Sequence, residues 1–183
     1  MAGRAISVAI TGGIGAGKSE ALRAFARHGA AVISSDDIVH ELIENDADVR
    51  AALIDKLGTT QRTEIADAVF ADRDKLLWLE ELLHPRVMRE YLRWREEQDA
   101  PLTVAEVPLL FEAGSEARFD VVVGITAPED VRARRARVPL EGRTERLIPD
   151  EEKLRRADYA YVNDGSLAEL DEWVADVVSK LKR

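Results

Sequence analysis

Eight consecutive residues hold the densest chemistry in the chain. Gly12-Gly13-Ile14-Gly15-Ala16-Gly17-Lys18-Ser19 fits G-x-x-x-x-G-K-[ST] at every position. In such a loop the backbone N–H groups turn inward and form a nest for anionic oxygens. Lys18 can then reach β- and γ-phosphates, and the Ser19 hydroxyl can sit on Mg²⁺. The chemistry implied is capture of a nucleoside triphosphate. Two kinds of side chain elsewhere could act on it. Asp36 and Asp37 are candidate general bases for an acceptor hydroxyl, with helix capping as the plainer role. Glu106 could order the water cage of the Mg²⁺, or be no more than a charge at a strand end. Of the 20 arginines, eight lie between Arg132 and Arg156, a gathering suited to phosphates. Interspersed Glu129, Asp130, Glu141 and Glu145 also allow a solvated, ion-paired helix; two or three arginines are expected at the nucleotide and the others in water.

These groups need a frame, and the sequence supplies one. Ile6 to Thr11 is short and β-branched and reads as a buried strand. Glu20 to His28 places Leu22, Phe25 and Ala26 at helical spacing. Strand, glycine loop and helix are the context the motif requires, with the anion at the positive end of the helix. Ala31 to Ser34 reads as a second strand, and Ile38 to Glu44 as a helix capped by Ser35-Asp36-Asp37. Both strands of a right-handed crossover emerge on one edge, so a carboxylate there can stand over the γ-phosphate.

Residues 46–100 are mostly helical in pattern. Val49, Leu53, Ile54 and Leu57 make one stripe, closed by Gly58. Leu76, Leu77, Leu79, Leu82 and Leu83 make another, interrupted at His84-Pro85, and Val87, Tyr91, Leu92 and Trp94 a third. The block reads as an inserted substrate-binding subdomain. His84 precedes a proline, where the chain is expected to leave helical geometry, so its ring is free to meet substrate or to serve structure. Further strands are expected at 102–105, 120–125 and 157–162. The arginine-rich helix follows the fourth, and another helical run spans 151–156. Ser166 should cap a final helix whose apolar face runs from Leu167 to Leu181. The fold expected is α/β: a P-loop kinase-type parallel five-stranded sheet flanked by helices. It forms one domain with a core of 1–45 and 101–183, a helical acceptor subdomain at about 46–100, and an Arg-rich lid at about 132–156.

Composition narrows the partners. A chain of 183 residues can bury one sizeable α/β core. A formal charge of −9 argues against a nucleic-acid binder. There is no cysteine, hence no disulfide or thiolate metal site. No apolar run approaches the ~20 residues that span a bilayer, and no signal-peptide core opens the chain. A cytoplasmic protein, with no membrane contact and no obligate protein partner, is the simplest expectation.

Several stretches together resemble dephospho-CoA kinase, the family that completes coenzyme A synthesis. They are Thr11 to Ser19, Val32-Ile33-Ser34-Ser35-Asp36, Leu83-His84-Pro85, Val107-Pro108-Leu109-Leu110-Phe111-Glu112, the Arg-rich lid, Ala157-Asp158-Tyr159 and Asn163-Asp164-Gly165-Ser166. The resemblance covers essentially the whole chain in the family's order, and it implies ATP and dephospho-CoA as substrates with Mg²⁺. It makes Asp36 the base for the ribose 3′-hydroxyl, and Arg143 a lid arginine that joins Lys18 in catalysis. ATP would lie on Gly13, Ile14, Gly15, Ala16, Gly17, Lys18, Ser19 and Glu20, with Asn163 near the adenine. His84, Leu109, Phe111 and Glu112 would border the acceptor with Asp36. Mg²⁺ would meet Ser19 directly and Glu106 through water.

The chain departs from the family pattern at three places. Ser34 stands where Asp is usual, Glu20 where Thr is common, and Leu147 where Gln is common in a lid that looks short. Two other functions share part of the pattern. A kinase of another small acceptor, such as a nucleoside monophosphate or sugar acid, would share loop and lid but not Pro-Leu-Leu-Phe-Glu with Asn-Asp-Gly-Ser. A GTPase-like switch would carry Asn-Lys-x-Asp, which is absent.

Overall fold

Five short runs, most of them rich in β-branched residues, pair into a single parallel sheet in the order β2-β3-β1-β4-β5. The computed structural model describes residues 5–136 and 147–182. Their elements follow as β1 (Ile6–Thr11), α1 (Lys18–Arg27), β2 (Ala31–Ser34), α2 (Ser35–Asn45), α3 (Ala47–Leu57), α4 (Arg62–Ala71) and α5 (Arg73–Glu96). Then come β3 (Leu102–Glu106), a 3₁₀ turn at Glu116–Arg118, β4 (Val121–Thr126), α6 (Glu129–Arg135), α7 (Asp150–Arg156), β5 (Tyr159–Val162) and α8 (Leu167–Leu181). The chain divides into two compact units. One joins the residues up to Ser34 to those from Gln98 on; the other is Ser35–Glu97.

In the first unit, strand alternation sends side chains to two faces. Val8, Ile10, Val104, Val123 and Ile125 pack with Phe25 of α1 and Leu170, Val174 and Val177 of α8. Ala9 and Val122 point the other way and meet Leu110 and Phe111. A parallel sheet covered on both faces needs apolar residues at successive positions, which is why Val8-Ala9-Ile10 and Val121-Val122-Val123 read as unbroken runs. Two strands start later than the sequence suggests, because the acids before them cap their neighbours. Asp120 Oδ2 accepts from the Ser7 N–H at 2.9 Å and the Ser7 hydroxyl at 2.7 Å, so β4 begins at Val121. Asp158 Oδ2 accepts from Val122 N at 2.8 Å, and β5 begins at Tyr159. The cap of α8 is as expected: Ser166 and Glu169 form a reciprocal capping box.

The second unit differs from the sequence reading in three ways. It begins at Ser35 rather than near residue 46, because α2 packs on α5 and α3. The polar cluster Ser35-Asp36-Asp37 does not precede a helix as its cap; it forms the first turn of α2. Acidic residues there complement the positive end of the helix. Third, α5 runs through His84 and Pro85 without a break. Pro85 lacks the N–H that would bond the Glu81 carbonyl, and one residue on the Arg86 guanidinium donates to the Leu82 carbonyl at 2.7 Å. The sequence pattern does not announce α4, because little of it is apolar and inward: Ile65 and Val69 are its buried residues. Just before it, α3 is bounded as its residues predict. Asp46 Oδ1 accepts from Asp48 N and Val49 N, and Gly58 closes the end at φ 76°.

Candidate active site

β1 delivers the chain into the glycine loop at the carboxyl edge of the sheet, the side where open α/β sheets bind ligands. The loop closes on itself through Ala16 N to Gly13 O at 3.3 Å, and α1 starts when Glu20 N and Ala21 N bond the Gly17 carbonyl. Gly17 is the N-cap of α1 at φ 96°, in the left-handed region where a side chain is strained. A Cβ there would also collide with the Asn163 amide. Lys18 is only 9 % exposed, and its Nζ donates to the Gly13 carbonyl at 2.9 Å. Its ammonium therefore lies along the loop, within reach of whatever anion the loop N–H groups bind.

Glu106, at the end of β3, is buried, and the hydroxyl of the exposed Ser19 donates to its Oε1 at 3.3 Å. The register explains this meeting. Glu106 pairs with Ile10 on β1 and with Ser34 on β2, and Val107 N returns to the Ile10 carbonyl at 2.8 Å. The strand-end carboxylate thus stands beside the start of the phosphate loop.

The arginines divide as their surroundings dictate. Arg132 of α6 lies against the loop: its Nη1 donates to Asp150 Oδ2 at 2.9 Å, and that oxygen also accepts from Thr126 Oγ1 at 2.8 Å. A Cβ on Gly13 would lie 2.7 Å from both Arg132 Nη1 and Asp150 Oδ2. Arg135 donates to the Asn163 carbonyl at 3.1 Å. Asn163 is buried; its N–H bonds the Thr126 carbonyl at 2.7 Å and its amide donates to the Ala16 carbonyl at 2.9 Å. By contrast Arg134 pairs with Asp130 one turn away, on the surface. Arg156 is exposed; it pairs with Glu116 at 2.6 Å and covers the Phe111 ring at 4.1 Å. Arg143 lies outside the described residues.

The other expected site residues are placed as follows. Glu20 turns its carboxylate along α1 to Arg23 at 2.6 Å and Arg27 at 3.4 Å. Ile14, Gly15 and Ala16 form the middle of the loop. Leu109 is half-buried after β3, while Phe111 belongs to the core rather than to a free surface. Glu112 Oε1 is held by Lys153 Nζ at 2.7 Å and by Ile148 N at 3.1 Å. Asp36 and Asp37 are exposed in the first turn of α2, and His84 is exposed on α5. Sequence reasoning missed Arg132 and Arg135 as individuals, and Asp150 and Lys153 altogether. The available signal was weak. All four sit in charged runs, where helical spacing separates inward from outward positions only once the partners are known.

A family model described as dephospho-CoA kinase matches residues 6–169, nearly the full length. The chain belongs to the dephospho-CoA kinase family. A dephospho-CoA kinase of Protochlamydia amoebophila is 34 % identical over 96 % of this chain and 96 % of its own. Among solved structures, a protein of Thermus thermophilus superposes with a TM-score of 0.82 at 33 % identity, covering 97 % of this chain and 98 % of that one. The dephospho-CoA kinase of Campylobacter jejuni follows with a TM-score of 0.68 at 25 % identity, covering 96 % of each chain. The match spans both units, so the dephospho-CoA kinase pattern takes in the helical insertion as well as the nucleotide loop.

Proposed function

We propose that this protein transfers the γ-phosphoryl group of ATP to the ribose 3′-hydroxyl of dephospho-CoA, giving coenzyme A and ADP. One observation carries the reading. In a chain of this family, the Lys18 ammonium lies along the phosphate loop while Ser19 meets the buried Glu106 carboxylate. Phosphoryl transfer asks for positioning and charge neutralisation more than for covalent help. The loop N–H groups and Lys18 hold the phosphates, and Arg132 and Arg135 stand at the loop's outer wall. Their fixed charges act where developing negative charge is poorly solvated.

Ser19 and Glu106 fit Mg²⁺, because a hydroxyl and a carboxylate are hard oxygen donors. Such ions use few protein ligands and complete their shell with water and substrate phosphate. Ser19, with Glu106 acting through water, would hold Mg²⁺, which would supply charge neutralisation to the substrate phosphates. Asp36 follows Ser34, the end of β2, by two residues; the family resemblance gives it the acceptor's proton, and His84 and Leu109 to Glu112 the acceptor's border. Arg143 is the further arginine that the resemblance puts on the phosphates. Among the described residues no helix is long and apolar enough to cross a membrane, and we assign the protein to the cytoplasm, where these two substrates are its partners.

The test is turnover with ATP and a panel of acceptors: dephospho-CoA, nucleoside monophosphates and small sugar acids. Dephospho-CoA is expected to exceed every other acceptor in kcat/KM by about a hundredfold or more, a discrimination of about 2.7 kcal/mol. A preferred mononucleotide or sugar acid overturns the assignment.

A further inference from the structure

Lys153 is 1 % exposed, more deeply buried than Lys18 of the phosphate loop. An ammonium taken out of water costs several kcal/mol unless it is paired and hydrogen-bonded. Here it meets Glu112 Oε1 at 2.7 Å and the Pro108 carbonyl at 3.3 Å. The same Pro108 carbonyl accepts from the Thr11 hydroxyl at 3.2 Å. Three stretches are therefore tied together through the Pro108 carbonyl. Thr11 leads directly into the phosphate loop, Pro108 to Glu112 closely follows Glu106, and α7 carries Lys153 itself. Glu112 depends on this arrangement. Its Oε1 has Lys153 and the Ile148 N–H as donors, and its Oε2 is buried with no partner among the described residues.

Anchoring a helix needs no buried charge, since apolar residues of similar volume often serve as well or better. What a short charged pair adds is direction. It holds one carbonyl and one carboxylate in a single geometry, in the segment that leaves Glu106. We propose that Lys153 is a positioning residue for phosphoryl transfer, fixing Pro108 and Glu112 so that the acceptor-bordering segment keeps one register against the phosphate loop. The inference rests on the reading of Leu109 to Glu112 as an acceptor border.

The experiment compares the wild-type protein with K153M, K153R and the double variant K153M/E112Q, measuring Tm and both KM values. K153M alone leaves the Glu112 carboxylate buried without its counter-charge and should lose stability. The double variant holds no buried charge at this place, and the side-chain carbonyl that E112Q introduces still accepts from the Ile148 N–H. Its Tm should therefore return towards wild type. K153M should raise acceptor KM by about tenfold or more while ATP KM changes by less than about twofold, and K153R, which leaves Glu112 untouched, should bring acceptor KM back to within about threefold. Recovery of acceptor KM together with Tm makes the pair purely structural and overturns the proposal. Equal rises in both KM values overturn it too, as does a K153M protein with wild-type acceptor KM. Failure of the wild-type protein to use dephospho-CoA at all would instead remove the functional reading, which the same measurements reveal separately.

Discussion

The phosphate-loop pattern leaves position 13 open to any residue, yet the chain has glycine there. The neighbours explain it: the Arg132–Asp150 pair occupies the space a Cβ would need. Gly13→Ala should therefore displace that pair or the loop and raise the KM for ATP by about tenfold, with a smaller effect on Tm; an unchanged KM would show that the loop does not feel the pair. Asp36 and Asp37 are adjacent on the first turn of α2 and so point in different directions, about 100° apart. If Asp36 is the base, Asp36→Asn should lower kcat by about two to four orders of magnitude and leave calorimetric ATP binding nearly intact. Asp37→Asn should keep most activity. A reversed pair of results would move the base by one residue. Arg156 serves surface packing rather than the phosphate loop. With Glu116 and the Phe111 ring as partners, it belongs to the packing of α7, and the exposure of that pair limits its worth to about 0.5–1 kcal/mol.

Among the elements, β1, β2 and the Ser166 cap were the legible part, and the reason is local. Ile6 to Thr11 and Ala31 to Ser34 carry their own signal, as does the Ser166 cap with Glu169 three residues on. Illegible features had causes far away in the chain. Asp120 looks like the first residue of a strand until Ser7 claims its carboxylate. His84-Pro85 looks like a helix end until the rest of α5 holds the helix together across it. The place of the loop after β1 and of Glu106 at the end of β3 could be read, because pattern and strand end suffice. Arg132 meeting Asp150 and Lys153 meeting Glu112 could not, because a charged run gives no sign of which member turns inward. The capping box offers a check with a defined pH dependence. Backbone and side-chain hydrogen bonds from Ser166 hold the Glu169 carboxyl below its ordinary value of 4.5. A depressed carboxyl stabilises the fold above its unfolded pKa and loses that contribution as the pH falls through the folded one. Ser166→Ala should thus lower Tm at pH 7, and by visibly less once the pH has fallen through the folded pKa of Glu169. A penalty independent of pH would mean that Glu169 does not take part.

For the whole molecule, the division into units predicts where each substrate leaves its mark. ATP alone should slow amide hydrogen exchange over Gly12 to Ser19 and around Asn163, while Ser35–Glu97 changes little. Dephospho-CoA should add protection within Ser35–Glu97, and mass spectrometry of peptic fragments resolves the two. ATP protection confined to Ser35–Glu97 would contradict the placement of the nucleotide loop in the first unit. The sheet order has a further consequence, in time rather than in space. β1 lies between β3 and β4, so both its partners are made long after it, with roughly ninety residues separating Thr11 from Leu102. At translation speeds of about 5–20 residues per second, β1 waits on the order of 5–20 s for its first neighbour. During that interval Ile6-Ser7-Val8-Ala9-Ile10-Thr11 is an apolar strand with two open edges, while the α2–α5 helices, whose unit lies within Ser35–Glu97, can already form. Until β3 emerges, the strand that leads into the phosphate loop is an unpaired edge on the ribosome, and the segment a chaperone would need to shield.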